Sequence, residues 1–133
     1  MESRAKAKNV RVSPRKVNQV MDLVRGKDVE DALTMLAFSK RHVSQQIQKV
    51  IKSAVANAVQ AESHLDVEDL YVKEILVGPG PTMKRWLPRA QGRATPILKR
   101  SSHFTIILGD KESRPAPKKS GRAARTAGSR KQR

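Results

Sequence analysis

Residues 78–100 interrupt two segments that have the alternating pattern of β-strands, and this interruption is too long to be a hairpin turn. The flanking segments are YVKEILV (71–77) and SHFTIIL (102–108). The interruption holds six Lys or Arg, four Pro and three Gly, and no Asp or Glu. If it continues both strands as a ribbon, each side has about 11 residues and the tip stands on the order of 35 Å from the sheet. The chain must therefore fold around a protruding cationic arm.

The composition of this arm determines how it behaves before it meets a partner. A two-stranded ribbon with few apolar side chains is marginal in water. Residues 78–100 are therefore either a disordered loop or an arm that becomes ordered on binding. The prolines stiffen the chain and block further strand pairing, and the glycines allow close approach of the backbone to a partner. We expect the arm to be mobile in the free protein and supported when it is bound.

The first part of the chain has the period of amphipathic helices. Ser13 is a favourable N-cap, Pro14 fits the first helical turn, and Gly26 is expected to end this first helix. Asp28 is the predicted N-cap of a second helix, which ends near Ser39. The predicted apolar faces are Val17, Val20, Met21 and Val24 in the first helix, and Val29, Ala32, Leu33 and Leu36 in the second.

A third and longest helix is predicted from about Lys40 to Glu62. Its alanines allow another element to approach closely. Its apolar stripe is Val43, Ile47, Val50, Ile51, Ala54, Ala58 and Ala61.

Beyond this helix the period changes to two, which predicts two antiparallel strands around the arm. The opening segment, with Lys6, Lys8, Val10 and Val12 on one face, is expected to add a third strand. The sequence therefore predicts one α+β domain over residues 1–110, with three helices packed on a small antiparallel sheet and the arm as a long protruding β-hairpin. Residues 111–133 are predicted to be a disordered basic tail.

The net charge of +16 is concentrated in the second half of the chain. Residues 1–77 carry 13 basic and 10 acidic side chains, whereas residues 78–133 carry 15 basic and 2 acidic. Such a polycation needs an anionic partner, for which nucleic acid is the first expectation and an acidic membrane the weaker one. The lack of cysteine and of a long apolar run predicts a soluble intracellular protein.

Three ordered stretches closely resemble the bacterial large-subunit ribosomal protein family numbered twenty-two. They are VRVSPRKVNQVMDLVRGK (10–27), KSAVANAVQAESHLDVEDLYVKE (52–74) and GPGPTMKRWLPRAQGRATPILKRSSHFTI (78–106). The resemblance runs from about Ala5 to Leu108. Trp86 departs from it, because a smaller aliphatic residue is usual there, and so does Val77, where a polar residue is common.

The resemblance implies a structural protein of the large subunit in the cytoplasmic ribosome, which binds large-subunit rRNA and supports assembly. Neighbouring ribosomal proteins and the nascent polypeptide are the other implied partners. No cofactor, metal or membrane is expected, and no dimer seam is evident. The arm is implied to line the peptide exit tunnel near its constriction and the macrolide site. The implied tunnel-lining residues are Met83, Lys84, Arg85, Pro88, Arg89, Ala90, Gln91, Gly92 and Arg93.

The side chains available for recognition favour phosphate and shape contacts, since only one Trp, one Tyr and two Phe are present. Arg15 and Lys16 lie at a predicted helix start, where backbone N–H groups favour phosphate. Trp86 is expected to stack on a base, line a wall or pack against the protein. The expected rRNA-binding residues are Lys6, Lys8, Arg11, Arg15, Lys16, Arg25, Lys84, Arg85, Arg89, Arg93, Lys99 and Arg100.

An enzyme is not expected. His42, His64 and His103 lack the spacing of metal ligands, and GPGPTMK lacks the spacing of a P-loop. The alternative function is a DNA-architectural protein, whose basic β-arm inserts apolar wedges into the minor groove. Met83, Trp86 and Pro88 are the candidate wedges in that case.

Truncation after Asp110 tests the role of the tail. The tail has nine basic residues, one acid and no apolar side chain larger than alanine, so it cannot offset the entropy of folding by itself. The truncated chain should retain its helical circular dichroism. Its rRNA-fragment binding should have a shallower salt dependence, by roughly 0.7 to 0.9 in the log–log slope for each phosphate that the tail had neutralised. An unchanged slope would show that the tail contacts no phosphate, and a loss of helicity would show that the domain extends further.

Overall fold

The computed structural model describes residues 2–61 and 66–111, in which three helices pack on an antiparallel sheet that continues into a hairpin. The predicted α+β class is confirmed. Glu62, His64 and the tail from residue 112 onward lie outside the described residues. The elements in chain order are β1 (Glu2–Val10), α1 (Pro14–Val24), α2 (Val29–Phe38), α3 (His42–Ala61), β2 (Leu70–Pro79), β3 (Met83–Pro88), β4 (Ala94–Lys99) and β5 (Ser102–Asp110), with short 3-10 turns at Val67–Asp69 and Ala90–Gly92.

The helix boundaries follow the sequence signals. Ser13 occupies the N-cap of α1 with extended backbone and Pro14 follows it, although the Ser13 hydroxyl does not make the capping hydrogen bond. Gly26 ends the turn after α1 at φ +74°, a conformation that suits glycine. Every predicted apolar position of α1 is fully buried. The stripe of α3 is buried up to Ala58 except for Val50, which is half-buried, while Ala61 at the end of the helix is exposed, contrary to the prediction.

The sheet has the strand order β1-β5-β2, with β5 hydrogen-bonded to an antiparallel neighbour on both edges. The predicted third strand is confirmed, but the predicted face of its side chains is wrong. The pairing of β1 with β5 shifts between Ala7 and Val10, where Asn9 has a positive φ of 57°. Lys6 and Lys8 are therefore exposed, whereas Val10 packs against the core.

A second irregularity changes which side chains of β2 face the helices. The register with β5 shifts between Val72 and Glu74, as in a β-bulge. Leu70 and Val72 are buried before the shift and Ile75 is buried after it, while Leu76 is 51% exposed. Strict alternation along the sequence therefore does not give the inner face of this strand.

Small residues let β1 lie directly against α3. Ala54 and Ala58 of this helix are buried, and the Ser3 hydroxyl of β1 donates a hydrogen bond of 2.8 Å to the Ala54 carbonyl oxygen. The Asn57 side-chain amide donates to the Arg4 carbonyl oxygen at 3.2 Å. The close approach predicted from the alanines of the third helix is confirmed.

Ala54→Leu is expected to reduce the free energy of unfolding by about 1–3 kcal/mol, because a larger side chain cannot enter this fully packed contact without moving β1. Ala56→Leu, at an exposed position of the same helix, is the matched control. Urea unfolding followed by circular dichroism measures both. Equal stability of the two variants would contradict the close packing of β1 on α3.

Candidate nucleic-acid interface

Residues 78–100 form the predicted hairpin arm. The strands β3 and β4 pair antiparallel from Met83 opposite Lys99 to Pro88 opposite Ala94. The side chains of β3 and β4 are exposed except for Met83 and Ile97, which are half-buried. The arm is thus a hydrogen-bonded ribbon with no core of its own.

A three-residue loop, Ala90–Gly92, closes the tip of the arm. The Arg89 N–H donates to the Arg93 carbonyl oxygen at 2.8 Å, and the Arg93 N–H donates to the Ala90 carbonyl oxygen at 3.3 Å. Gln91 and Gly92 both have positive φ, of 59° and 66°. Glycine adopts this conformation freely, whereas it costs Gln91 roughly 1–2 kcal/mol.

The pairing register divides the side chains of the arm between two faces. Residues directly opposite each other share a face, and successive residues alternate between faces. We call one face the cationic face: it carries Arg85 and Lys99 and, by the hydrogen bond that joins them at the tip, Arg89 and Arg93, together with Met83, Leu87, Thr95 and Ile97. The opposite, apolar face carries Trp86, Pro88, Ala94, Pro96 and Leu98, with Lys84 as its one cation in β3 and β4.

Side-chain contacts agree with this division. The Arg89 Nε donates to the Thr95 hydroxyl at 3.3 Å on the cationic face, and the Arg85 guanidinium approaches the Met83 sulfur at 3.8 Å. Trp86 is 65% exposed on the apolar face, so the possibility that it packs against the protein is wrong. The predicted tunnel-lining residues are consequently not one surface, since Met83 and Arg85 point to one side and Lys84 and Pro88 to the other.

The root of the arm, where β2 and β5 pass into β3 and β4, is held by a close backbone contact. The Gly80 N–H donates to the Ser101 carbonyl oxygen at 2.9 Å, and the Ser101 hydroxyl donates to the Pro81 carbonyl oxygen at 2.6 Å. A Cβ atom on Gly80 would lie 2.6 Å from the Ser101 hydroxyl oxygen. Of the three arm glycines, Gly80 is therefore required for close approach within the chain.

A cleft of about 820 Å³ lies beside this root, and we call it the root cleft. The segment around the start of α1, the start of α3 and the end of β4 line it together. Its cationic rim consists of Arg11, Lys16, Arg41, Lys99 and Arg100, and its apolar wall of Val12, Val43 and Leu98. Ser13, Gln19 and His42 complete the lining, which includes no acidic residue.

Sequence reasoning identified four of the five rim cations but missed Arg41, which lies far from the others along the chain. The Arg41 Nη1 donates to the Gln19 Oε1 at 2.6 Å, which places the Arg41 guanidinium beside the middle of α1. Its only sequence signal is its place beside Lys40, at the start of the predicted third helix. His42, dismissed as a metal ligand, also lines the cleft.

Three cations elsewhere in the described part of the domain have acidic partners. Arg25 pairs with Asp22 at 3.0 Å, Lys111 pairs with Asp28 at 3.4 Å, and Lys73 of β2 pairs with Glu2 of β1. The hydrogen bond between the last two lowers the pKa of Glu2 and raises the pKa of Lys73. Within residues 2–61 and 66–111, the rim and the cationic face form no salt bridge. The arm and its root therefore gather cations with no acidic residue among residues 78–100 or in the cleft lining.

The other predicted binding residues lie apart from this cluster. Lys6 and Lys8 are exposed on β1, and Arg15 is exposed on α1 outside the cleft lining. Arg25 donates to the Ile75 carbonyl oxygen at 3.4 Å in addition to its pairing with Asp22, so its charge is already engaged. In the described part of the chain, no group of side chains could hold a metal ion and no helix is long and apolar enough to cross a membrane.

The fold and this charge distribution define a class of protein: a small α+β domain that presents a long cationic hairpin. The family model described as ribosomal protein L22p/L17e matches residues 5–109. The chain belongs to this family of ribosomal proteins.

Curated relatives agree with the family assignment. A protein of Syntrophobacter fumaroxidans named large ribosomal subunit protein uL22 is 58% identical over 111 residues, which are 84% of this chain and 100% of that protein. Proteins of the same name from Clostridioides difficile and Syntrophus aciditrophicus are 52% and 53% identical, again over 84% of this chain and 100% of theirs. The resemblance noted in the sequence is confirmed, and so are the expectations of a ribosomal protein that is not an enzyme and of a place in the cytoplasmic ribosome.

Gly80→Ala is expected to break the hydrogen bond between Ser101 and Pro81 and to reduce the free energy of unfolding by about 1 kcal/mol. Gly78→Ala is the control, because a Cβ atom there meets nothing within 4 Å. Urea unfolding compares the variants, and amide exchange at position 80 reports whether its bond to Ser101 opens. If the two variants have the same free energy of unfolding, the stability of the root does not depend on the close contact between Gly80 and Ser101.

Proposed function

We propose that this chain, a structural protein of the large ribosomal subunit by its family, binds large-subunit rRNA through the cationic face and the root cleft. In doing so it supports assembly of the subunit. The observation that carries the proposal is the segregation of charge: residues 78–100 and the lining of the root cleft include no acidic residue, whereas residues 1–77 as a whole carry 10 acidic side chains beside 13 basic ones. An RNA backbone supplies the missing counter-charge.

The chemistry of the arm favours recognition of RNA shape and phosphate over base sequence. Arginine predominates on the cationic face, and its planar guanidinium can both pair with phosphate and stack on bases. Double-stranded RNA offers proteins mainly its shape, phosphates and 2′-hydroxyl groups. The exposure of nearly all arm side chains also supports the proposal that the ribbon is ordered fully only against RNA.

We propose that the arm lines the nascent-peptide exit tunnel near its constriction and the macrolide site, with unequal roles for its two faces. The cationic face lies on rRNA because each of its charges gains a phosphate partner there. The apolar face, with Lys84 and Trp86, and the tip at Ala90–Gly92 are then free to face the tunnel and the nascent chain. Arg85 and Arg89 accordingly anchor the arm, and Lys84 is the cation exposed to the lumen.

Cosedimentation with large subunits tests the proposal against the alternative of a DNA-architectural protein. Association should disappear after treatment of the particles with RNase and persist after DNase. Dissociation with DNase alone would support the alternative.

Removing charge from the cationic face should weaken rRNA binding more than removing it elsewhere. The double variant Arg85→Gln, Arg93→Gln should lower the log–log salt slope of binding to large-subunit rRNA by roughly 1.4 to 1.8, since two phosphates are then left without a cation. The matched control is Lys49→Gln, Lys52→Gln, which removes two exposed cations from α3. Equal slopes for both double variants would contradict the assignment of this face to RNA.

Deletions in β3 test the division between faces. Removing Met83 to Arg85 takes out three residues, so every following side chain of β3 moves to the opposite face. Removing only Lys84 and Arg85 preserves the alternation. Both variants should fold and be incorporated, because neither deletion removes a core residue.

Ribosomes with the three-residue deletion should show the larger change in macrolide inhibition of translation, because Trp86 then faces the rRNA. Equal changes in macrolide inhibition for the two deletions would contradict the proposal that the two faces of the arm have different roles. Failure of both variants to be incorporated would assign the segment to assembly instead.

A further inference from the structure

The root cleft combines two chemical surfaces that phosphate contacts alone do not explain. Its rim carries five cations, but Val12, Val43 and Leu98 form an apolar wall in the same cavity. A site for a phosphate group needs donors and positive charge only. Binding sites for small molecules have volumes of about 300–1,000 Å³ and combine an apolar lining with a few placed polar groups, and the root cleft, at about 820 Å³, has both properties.

We infer that the root cleft binds a single RNA nucleotide that is turned out of its helix, with the base against the apolar wall and the phosphates on the cationic rim. This inference rests on the proposed function and adds what the cleft recognises. Unstacked nucleotides are the part of RNA that proteins read most specifically, because their bases are open to side chains. Gln19, His42 and Ser13 are the polar lining residues placed to meet the edges of the base.

The cleft spans two parts of the molecule, so its occupant would connect them. Arg11 to Gln19 and Arg41 to Val43 belong to the helical layer, whereas Leu98 to Arg100 belong to the arm. The hydrogen bonds of Gly80 and Ser101 hold the arm at this point, so the cleft is formed where the arm is anchored. A nucleotide bound there contacts both parts and fixes the direction in which the arm leaves the domain.

The test uses the full chain and three small probes: adenosine monophosphate, adenosine and inorganic phosphate. Methyl resonances of Val12, Val43 and Leu98 are followed by NMR during each titration. Adenosine monophosphate should shift all three at a concentration at least several-fold lower than either other probe, because only it engages rim and wall together. Equal midpoints for adenosine monophosphate and phosphate would overturn the inference, as would the absence of shifts at these methyl groups.

Single substitutions distinguish the contribution of the cationic rim from that of the apolar wall. Arg41→Gln should weaken binding of adenosine monophosphate and of phosphate, while Leu98→Ala should weaken adenosine monophosphate and leave phosphate unchanged. Lys49→Gln, an exposed change on α3 outside the cleft, should affect neither. Circular dichroism confirms that each variant is folded.

Binding of large-subunit rRNA distinguishes failure of this inference from failure of the proposed function. If the full chain binds rRNA and Arg41→Gln binds as tightly as Lys49→Gln, the nucleotide site is wrong and the broader proposal remains. If the full chain shows no salt-dependent binding to rRNA, the proposed function itself is wrong.

Discussion

The position of β5 at the centre of the sheet is the constraint on which the rest of the molecule depends. Its backbone pairs on both edges, with β1 and β2, and Phe104, Ile106 and Leu108 bury their side chains against the helices. The arm returns to the domain through this same strand. A ribbon that is marginal by itself is therefore joined directly to the most completely bonded element of the fold, and the pairing that fixes β5 also fixes the direction of the arm at its root.

The distribution of charge places opposing demands on the free and the bound protein. Four cations on one face of a narrow ribbon repel one another, and no described acidic side chain relieves that repulsion. In the domain, by contrast, Arg25 and Lys73 are paired with carboxylates. In the proposed complex the arm would gain from a polyanion the stability that it lacks in isolation, and its ordering would then be linked to assembly.

Much of the fold could be predicted from hydrophobic periodicity and from helix-capping and helix-breaking residues. The faces of the strands and the root cleft could not be predicted in this way. Ser13, Pro14 and Gly26 bracket the first helix because capping and breaking are local effects of residue type. The shifts at Ala7–Val10 and Val72–Glu74 depend on pairing with β5, so alternation read along the chain misplaced Val10. Arg41 joins the root cleft through tertiary packing, which its place beside Lys40 in the sequence does not reveal. The division of the arm into two faces could in principle have been predicted from the sequence, because a three-residue loop containing Gly92 fixes which residues lie opposite each other.

The faces of the arm and the position of the cleft together suggest how the parts work as a unit. Lys99 belongs to both, since it lies on the cationic face and on the rim of the root cleft. In the proposed complex, RNA in the cleft would already engage the first cation of the arm, and Arg85, Arg89 and Arg93 follow along the same face toward the tip. Binding that begins at the root can extend outward one phosphate at a time, each new ion pair lowering the repulsion that opposes the next. A hairpin without a core can in this way be ordered progressively by its partner, while the apolar face, with Lys84 as its one cation in β3 and β4, offers an RNA backbone little charge.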